Sequence, residues 1–344
     1  MKLIIVFVLS CVLLSFSGCA GRKSSRNEKS LNERGFFAMD TYMTLKVSGD
    51  DSAEALDAAE KRVHELENTF SVNIENSDIW RINHSQGIPA EVSADTFEAV
   101  QKSLEISRKT EGALDISLYP IVMAWGFTTE NYRIPPTEEI SELLGTVNWQ
   151  NVSANDGRIF VPKDYMLDLG ALAKGYTGDE LMKIFRENGV ESAIISLGGN
   201  VQTLGKKPDG SLWKVAVRDP FAPETDMCVV ETADKAVITS GSYERYFTGE
   251  DGVDYCHIID PKSGRPVNNG LVSVTVVGES GAECDALSTA LFVMGIDAAA
   301  EFWRKNSNFE LIMATDDGKI FYTEGLGESF KNLSKMPAEV ILRA

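Results

Sequence analysis

Apolar residues recur at Leu56, Ala59, Val63, Leu66 and Phe70. That three-and-four spacing predicts an amphipathic helix over 52–70. Ahead of it, residues 36–47 alternate apolar and polar positions and predict a first strand. Residues 73–87 read as a loop with a short turn about Ile79 to Ile82. Asp95-Thr-Phe-Glu98 reads as a capping box opening a second helix, which Gly112 closes. Residues 113–127 read as extended and aromatic, and 137–144 as a short helix. Two strands are expected within 151–169, around the turn signal Asn155-Asp156-Gly157. A helix follows over 175–188 and stops at Gly189. Strand-like runs then cover 192–197, 213–218, 236–239, 255–259 and 272–277. A mostly small and apolar helix around Asp285 comes next, then a short helix over 297–305 and a hairpin about Asp316-Asp317-Gly318. Strand groups mixed with helix groups, without βαβ regularity, predict an α+β fold.

The first residues follow another pattern. After Lys2, residues 3–16 are almost unbroken apolar, too short for a span of about 20 residues. They end in Ser15-Phe16-Ser17-Gly18-Cys19. Small residues directly before a cysteine read as a bacterial lipoprotein signal over 1–18, with Cys19 lipidated. The alternative is an ordinary signal peptide with an incidental cysteine. Residues 19–34 are polar and basic and read as a flexible tether, which leaves 35–344 as the folded unit. Such a protein is anchored to a bacterial membrane, facing the periplasm or cell exterior.

Net charge is −18, which argues against a nucleic-acid partner. A phosphate ligand must therefore meet a locally positive or metal-bearing site. Of five cysteines, Cys228, Cys256 and Cys284 remain in the folded unit, without metal-type spacing. A Cys256–Cys284 disulfide is conceivable; three buried thiols are the expectation.

Asp285 and Thr289 lie four apart and so share a helix face. A carboxylate on a buried helix needs a partner. Two hard oxygen ligands suit Mg²⁺, which completes its octahedron with water and substrate phosphate. The plain alternative is an Asp capping its own helix and a Thr bonded back to the backbone. Residues 168–176, Asp-Leu-Gly-Ala-Leu-Ala-Lys-Gly-Tyr, read as a strand running through small residues into a helix. Such a junction offers backbone N–H groups and a positive helix end to phosphate, with Lys174 adding a point charge. Asp168 could accept from a ribose, a base edge or a flavin N–H. Neither a Walker A loop nor G-x-G-x-x-G is present. Ser196-Leu-Gly198-Gly199-Asn200 ends a strand in a tight turn or a close approach to a ligand. His257 stands in a strand before a Pro/Gly turn. Neutral, it could take a proton from a hydroxyl nucleophile; the bland reading is a strand histidine satisfied by a neighbour.

Seven ordered segments carry a resemblance: Met39-Asp40-Thr41, Leu114 to Ser117 through Trp125 to Phe127, Asp168 to Tyr176, Ser196 to Asn200, Ser240 to Phe247, His257 to Pro266, and Asp285 to Gly295. In this order they resemble the ApbE family of FAD:protein FMN transferases, commonly lipoproteins. The resemblance implies a T-fold-like core of antiparallel sheet with packed helices. It implies FAD contacts at or near Met39, Asn73, Ala113, Leu114, Asp115, Asp168, Lys174, His257 and Ile259. It also implies Mg²⁺ held by the Ala171 carbonyl, Asp285 and Thr289. The implied reaction is attack of an acceptor Thr or Ser hydroxyl on the FMN phosphorus of FAD, with AMP leaving and His257 as general base. The family's acceptors carry a D-x-x-[ST]-G-A-[ST]-like motif, as a membrane redox subunit would here. Many members have Tyr where this chain has Asn73. That departure keeps an FAD pyrophosphatase open as an alternative, beside a non-catalytic lipid-anchored flavin binder.

Overall fold

The computed structural model describes residues 31–306 and 308–343. The expected signal segment, Cys19 and the tether up to residue 30 lie outside these. Nine strands form the main sheet: β1 (Asn32–Ala38), β2 (Thr41–Ser48), β3 (Ser192–Leu197), β4 (Asn200–Leu204), β5 (Ala236–Gly241), β6 (Leu271–Gly278), β7 (Phe309–Thr315), β8 (Ile320–Thr323) and β9 (Ala338–Ile341). They lie side by side in chain order. Every neighbouring pair is antiparallel except β8 and β9.

Within this order two similar halves appear. In the first, hairpin β1–β2 leads through helices to hairpin β3–β4. In the second, hairpin β5–β6 leads through helices to hairpin β7–β8. The halves join where β4 pairs with β5. The helices are α1 (Ser52–Phe70), α2 (Asp78–Asn83), α3 (Ala94–Lys109), α4 (Tyr119–Ala124), α5 (Thr137–Leu144), α6 (Ala173–Glu187), α7 (Gly281–Met294) and α8 (Ile296–Lys305).

Strand alternation explains the layering. Val274 and Val276 of β6 pack with the helices, against Leu287 and Leu291 of α7. Val277 packs on the other face with Val215, Val217 and Val230. Those last residues belong to a smaller sheet of Trp213–Asp219, Ala222–Thr232 and Phe330–Asn332. Side chains two apart share a face, so one strand serves both cores. Each large side chain fully buried this way contributes about 1.5–3 kcal/mol.

Helix α1 has the residues expected from its periodicity, with Leu56, Ala59, Val63, Leu66 and Phe70 buried. Elsewhere the structure corrects the reading. The expected single strand over 36–47 is a hairpin. Met39 and Asp40 form its two-residue tip with φ of 50° and 57°. Both central residues are left-handed, as the turns that match strand twist require. The alternation runs through the tip, which hid it. Strand β1 also starts at Asn32, inside the segment read as tether. The turn about Ile79 is a short helix, α2, capped by Ser77, which accepts the Trp80 N–H at 2.9 Å. Helix α3 is capped by Ser93 rather than Asp95. Asp95 is instead paired with Arg62 on α1. The segment read as extended over 113–127 holds α4, with Pro120 in its first turn, where a missing N–H costs nothing. Strand β4 and Ala222–Thr232 were not foreseen. The run 255–259 is broken, with strands at Asp254–Cys256 and Ile259–Asp260 and His257 in the gap. Cys228, Cys256 and Cys284 are free and buried, as expected. Among the described residues, no helix is long and apolar enough to cross a membrane.

Candidate functional site

Helices α6 and α7 meet backbone to backbone. A Cβ on Gly175 would lie 2.2 Å from the Gly281 carbonyl oxygen, so neither helix tolerates a side chain at the crossing. Asp179 of α6 ties the start of α7. Its carboxylate accepts the N–H groups of Gly281 (2.6 Å) and Ala282 (3.0 Å) and the Ser280 hydroxyl (2.9 Å). This anion at a helix N-terminus satisfies donors that the helix leaves free.

One turn into α7, Asp285 is only 5% exposed. Its Oδ2 accepts the Gly175 N–H at 2.8 Å. Burial pushes its carboxyl above the ordinary range; the Lys174 charge and the Gly175 N–H oppose the rise. In a regular helix the Gly175 N–H would go to the Ala171 carbonyl. Here it is diverted, and no hydrogen bond reaches that carbonyl among the described residues. Thr289 is one turn on from Asp285. Its hydroxyl is 3.1 Å from that of Ser240, which in turn is 2.7 Å from that of Ser288.

A buried carboxylate on α7, facing an unpaired carbonyl just before α6, carries a cost that a hard cation removes. With the Thr289 hydroxyl they make an all-oxygen donor set, so the residues present fit Mg²⁺. No group of three or more His, Cys, Asp or Glu suited to a metal exists among the described residues. A hard cation on so few protein oxygens completes its shell with water and phosphate oxygens.

The loop before α6 brings the other candidates close. Asp168 donates its backbone N–H to the Ile116 carbonyl at 2.9 Å, which ties the 113–117 segment to this junction. Its Oδ1 accepts the Gly170 N–H at 2.8 Å. Burial raises the Asp168 carboxyl against the pull of Gly170, Lys174 and Arg245. Lys174 thus acts on both acids, and its charge also reaches His257. It forms no ion pair among the described residues, so it is available to a ligand.

His257 Nδ1 is 3.1 Å from the Arg245 carbonyl. A carbonyl only accepts, so Nδ1 carries the proton and Nε2 keeps its lone pair. Burial lowers its pKa to about 4, with the Arg245 and Lys174 charges adding to the effect. His257 is therefore neutral at physiological pH. Phe127 meets it edge-on with ring centroids 6.4 Å apart. Ile259 is buried nearby with Trp125 and Phe127.

The remaining candidates are more scattered. Met39, at the β1–β2 tip, donates its N–H to Glu67 at 2.6 Å and receives the Thr177 hydroxyl of α6 at its sulfur. Thr41 touches Gly198, where an added Cβ would come within 2.5 Å. The hairpin tip and the Ser196 to Asn200 turn therefore lie together. Ala113 and Leu114 are buried in the core. The Asp115 carboxylate is occupied inside the protein, accepting from the Ser117 N–H and hydroxyl and the Trp149 N–H. Asn73 is exposed on the loop after α1, where only its backbone N–H is bonded, to Ser71 Oγ. Sequence reasoning missed Gly175 and Gly281 as the crossing point, Ser240 as the partner of Thr289, and Arg245 as the group that sets the His257 tautomer. Glycines inside predicted helices were the available signal for the first pair.

Residues 39–313 match the family model described as ApbE family. A Vibrio cholerae protein named FAD:protein FMN transferase is 32% identical over 288 residues, covering 82% of this chain and 85% of its own length. A protein of that name from Escherichia coli K12 is 32% identical over 297 residues, covering 83% and 84%. The crystal structure of the ApbE protein of Thermotoga maritima superposes with a TM-score of 0.82 at 31% identity, over 87% of this chain and 99% of that one. The flavin transferase ApbE of Vibrio cholerae gives 0.78 at 28% identity, over 87% and 99%. The expected α+β fold, with its mainly antiparallel sheet and packed helices, is borne out.

Proposed function

This chain belongs to the ApbE family, and on that premise we propose that it is a FAD:protein FMN transferase acting on a Thr or Ser hydroxyl of an acceptor protein. The observation that carries this reading is the α6–α7 crossing. There the buried Asp285, the unpaired Ala171 carbonyl and Lys174 come together.

Each group has a task. Lys174 receives the pyrophosphate of FAD, which a chain of charge −18 must otherwise repel. Ala171, Asp285 and Thr289 would hold Mg²⁺. When bound, Mg²⁺ supplies charge compensation to the phosphate oxygens. Asp168 takes up a donor of the nucleotide or flavin. The acceptor hydroxyl oxygen bonds to the FMN phosphorus, and the bond to the bridging oxygen breaks. AMP leaves with that electron pair. The hydroxyl proton passes to His257 Nε2, the basic nitrogen of the tautomer that the Arg245 carbonyl selects. A Cys19 lipid anchor would hold the domain at a bacterial membrane, facing the periplasm or exterior, beside a membrane redox acceptor.

The test is direct. Purified protein is incubated with FAD and Mg²⁺, with and without an acceptor domain bearing a D-x-x-[ST]-G-A-[ST]-like motif. Intact-mass analysis should show one covalent FMN on the acceptor, and chromatography an equal amount of AMP. FMN and AMP released free, with the acceptor unmodified, would reject transfer in favour of hydrolysis.

A further inference from the structure

Thr289 stands at one end of a chain of three hydroxyls. Ile238 and Ser240 are two apart in β5, so they share one face of the sheet. On that face Ile238 packs in the core with Leu287 and Leu291 of α7. Ser240 is thereby set against Ser288 and Thr289. The Ser288 hydroxyl lies 2.8 Å from the Asp285 carbonyl. A carbonyl only accepts, so the Ser288 proton is used there. The Ser240 and Ser288 oxygens are 2.7 Å apart. A proton must lie between them, and Ser288 has none left, so Ser240 donates to Ser288. The Thr289 and Ser240 oxygens are 3.1 Å apart. The Ser240 proton is now used as well, so Thr289 donates to Ser240. Three protons fill three contacts in one direction only: Thr289 to Ser240, Ser240 to Ser288, Ser288 to the Asp285 carbonyl. Any other order leaves lone pairs facing each other across a short contact. The bond back to the helix that a threonine could make is made here by Ser288 instead. Thr289 makes no other side-chain hydrogen bond among the described residues, so its lone pairs are free.

We propose that Ser240 is a positioning residue for the divalent cation: by accepting the Thr289 proton, while Ser288 holds its own, it presents the Thr289 lone pairs to the cation. This rests on the cation reading above. A hydroxyl binds a cation through a lone pair, so its proton must point elsewhere and needs an acceptor there. Without Ser240, the Thr289 hydroxyl can turn back to the Asp285 carbonyl four residues earlier. Without Ser288, the Ser240 proton can swing onto Thr289 and occupy a lone pair that the cation needs. Partners that orient a metal ligand in this way typically change metal affinity by about 10–100-fold when removed.

The probe is Mn²⁺, titrated into the purified protein and followed by the EPR signal of the free ion, with no FAD present. Ser240→Ala should weaken Mn²⁺ binding by about 10–100-fold. The Mg²⁺ concentration giving half-maximal FMN transfer should rise by the same factor. Ser240→Thr keeps the hydroxyl and should restore binding. Ser288→Ala should weaken binding in the same direction, although no hydrogen bond joins its side chain to Thr289. Thr275→Val is the control. It breaks a second hydroxyl pair across the same two strands, 2.8 Å between Thr239 and Thr275, and should leave Mn²⁺ binding unchanged. A generally loosened fold would lower the melting temperature of all these variants without separating their Mn²⁺ constants. If Ser240→Ala does not fold, Ser288→Ala carries the test. A folded Ser240→Ala that binds Mn²⁺ as tightly as the unaltered protein overturns this inference alone. So does an equal shift in Thr275→Val, or unchanged binding in Ser288→Ala. An unaltered protein that binds no Mn²⁺ overturns the cation reading, and this inference with it.

Discussion

The two halves of the sheet solve the same topological problem with different amounts of chain. In the second half, β6 reaches β7 through α7 and α8 alone. Helix α7 is buried on nearly all sides, and its apolar positions Leu287, Leu291 and Phe292 are core. In the first half, β2 reaches β3 only after six helices and several short strands. The economical half places Asp285 and Thr289 on a helix packed tightly into the core. The long half supplies Asp168, Ala171 and Lys174 from a loop and a helix start, along with Asn73, Ala113, Leu114 and Asp115. Rigid packing suits groups that must hold a fixed geometry through reaction. Loops suit groups that must wrap a large ligand. The second half should therefore govern turnover, and the first half FAD affinity. His257, on the connection between β5 and β6, falls with the second.

Asp285→Ala tests that division most severely. Transfer should fall by on the order of 10³-fold, the several kcal/mol that metal charge compensation is worth. The fold should persist, because removal of a buried carboxylate whose charged form is disfavoured offsets the loss of the Gly175 N–H acceptor. Thermal unfolding should show a midpoint close to that of the unaltered protein. Full turnover at limiting Mg²⁺ would sink the assignment.

His257→Ala should cost roughly 10²–10⁴-fold in rate at saturating FAD, with little change in FAD binding. Its pH signature follows from its environment. Its pKa is lowered to about 4 from the ordinary imidazole value of 6.5. The neutral base therefore persists across physiological pH, and the acid limb of the transfer rate should lie near 4 rather than near 6.5. Stability follows the same sign. Between the ordinary value and about 4, the unfolded chain binds more protons than the folded one, so this group makes the fold less stable as pH falls through that window. An acid limb centred near 6.5 and absent from the variant would show that His257 titrates as an exposed imidazole.

Lys174→Met probes the first half. A lysine bonded to a charged oxygen contributes about 1.5–3 kcal/mol, so the FAD dissociation constant should rise by about 10–100-fold. The rate at saturating FAD should change much less. A large loss of rate with unchanged affinity would place Lys174 with the turnover groups and dissolve the distinction between halves.

Which parts of this arrangement were legible follows the same division. Periodicity located α1, which buries one continuous stripe, and the run of small apolar residues located α7, which is buried on nearly all sides. It placed Asp285 and Thr289 on one helix face correctly. It could not find the β1–β2 tip, because alternation survives a two-residue turn unbroken. It could not find α4, whose aromatic and proline-bearing sequence has no polar face. The crossing at Gly175 and Gly281 lies 106 residues apart in sequence, and no local pattern reports such a contact. The same holds for the Arg245 carbonyl that selects the His257 tautomer.

The smallest expected effect lies at Asn73, the position where this chain departs from the Tyr of many family members. Asn73 is exposed, and its side chain makes no hydrogen bond among the described residues. It belongs to the long half, so its substitution should alter FAD retention rather than the chemical step. On the proposed reading that Asn73 borders the FAD, Asn73→Tyr adds an aromatic face there, worth on the order of 0.5–1.5 kcal/mol if it stacks on a ring of the ligand. FAD dissociation should slow by about 2–12-fold, that energy expressed as a rate ratio. On that reading the ring would also shield the phosphorus from water. The unaltered protein should thus release some free FMN in Mg²⁺ when no acceptor is present, and the variant less. Stopped-flow release of FAD and chromatography of free FMN measure the two effects separately. Slower dissociation with unchanged free FMN would confine Asn73 to binding. No free FMN from the unaltered protein would remove the physical basis of the pyrophosphatase alternative, because the exposed amide would then admit no competing water.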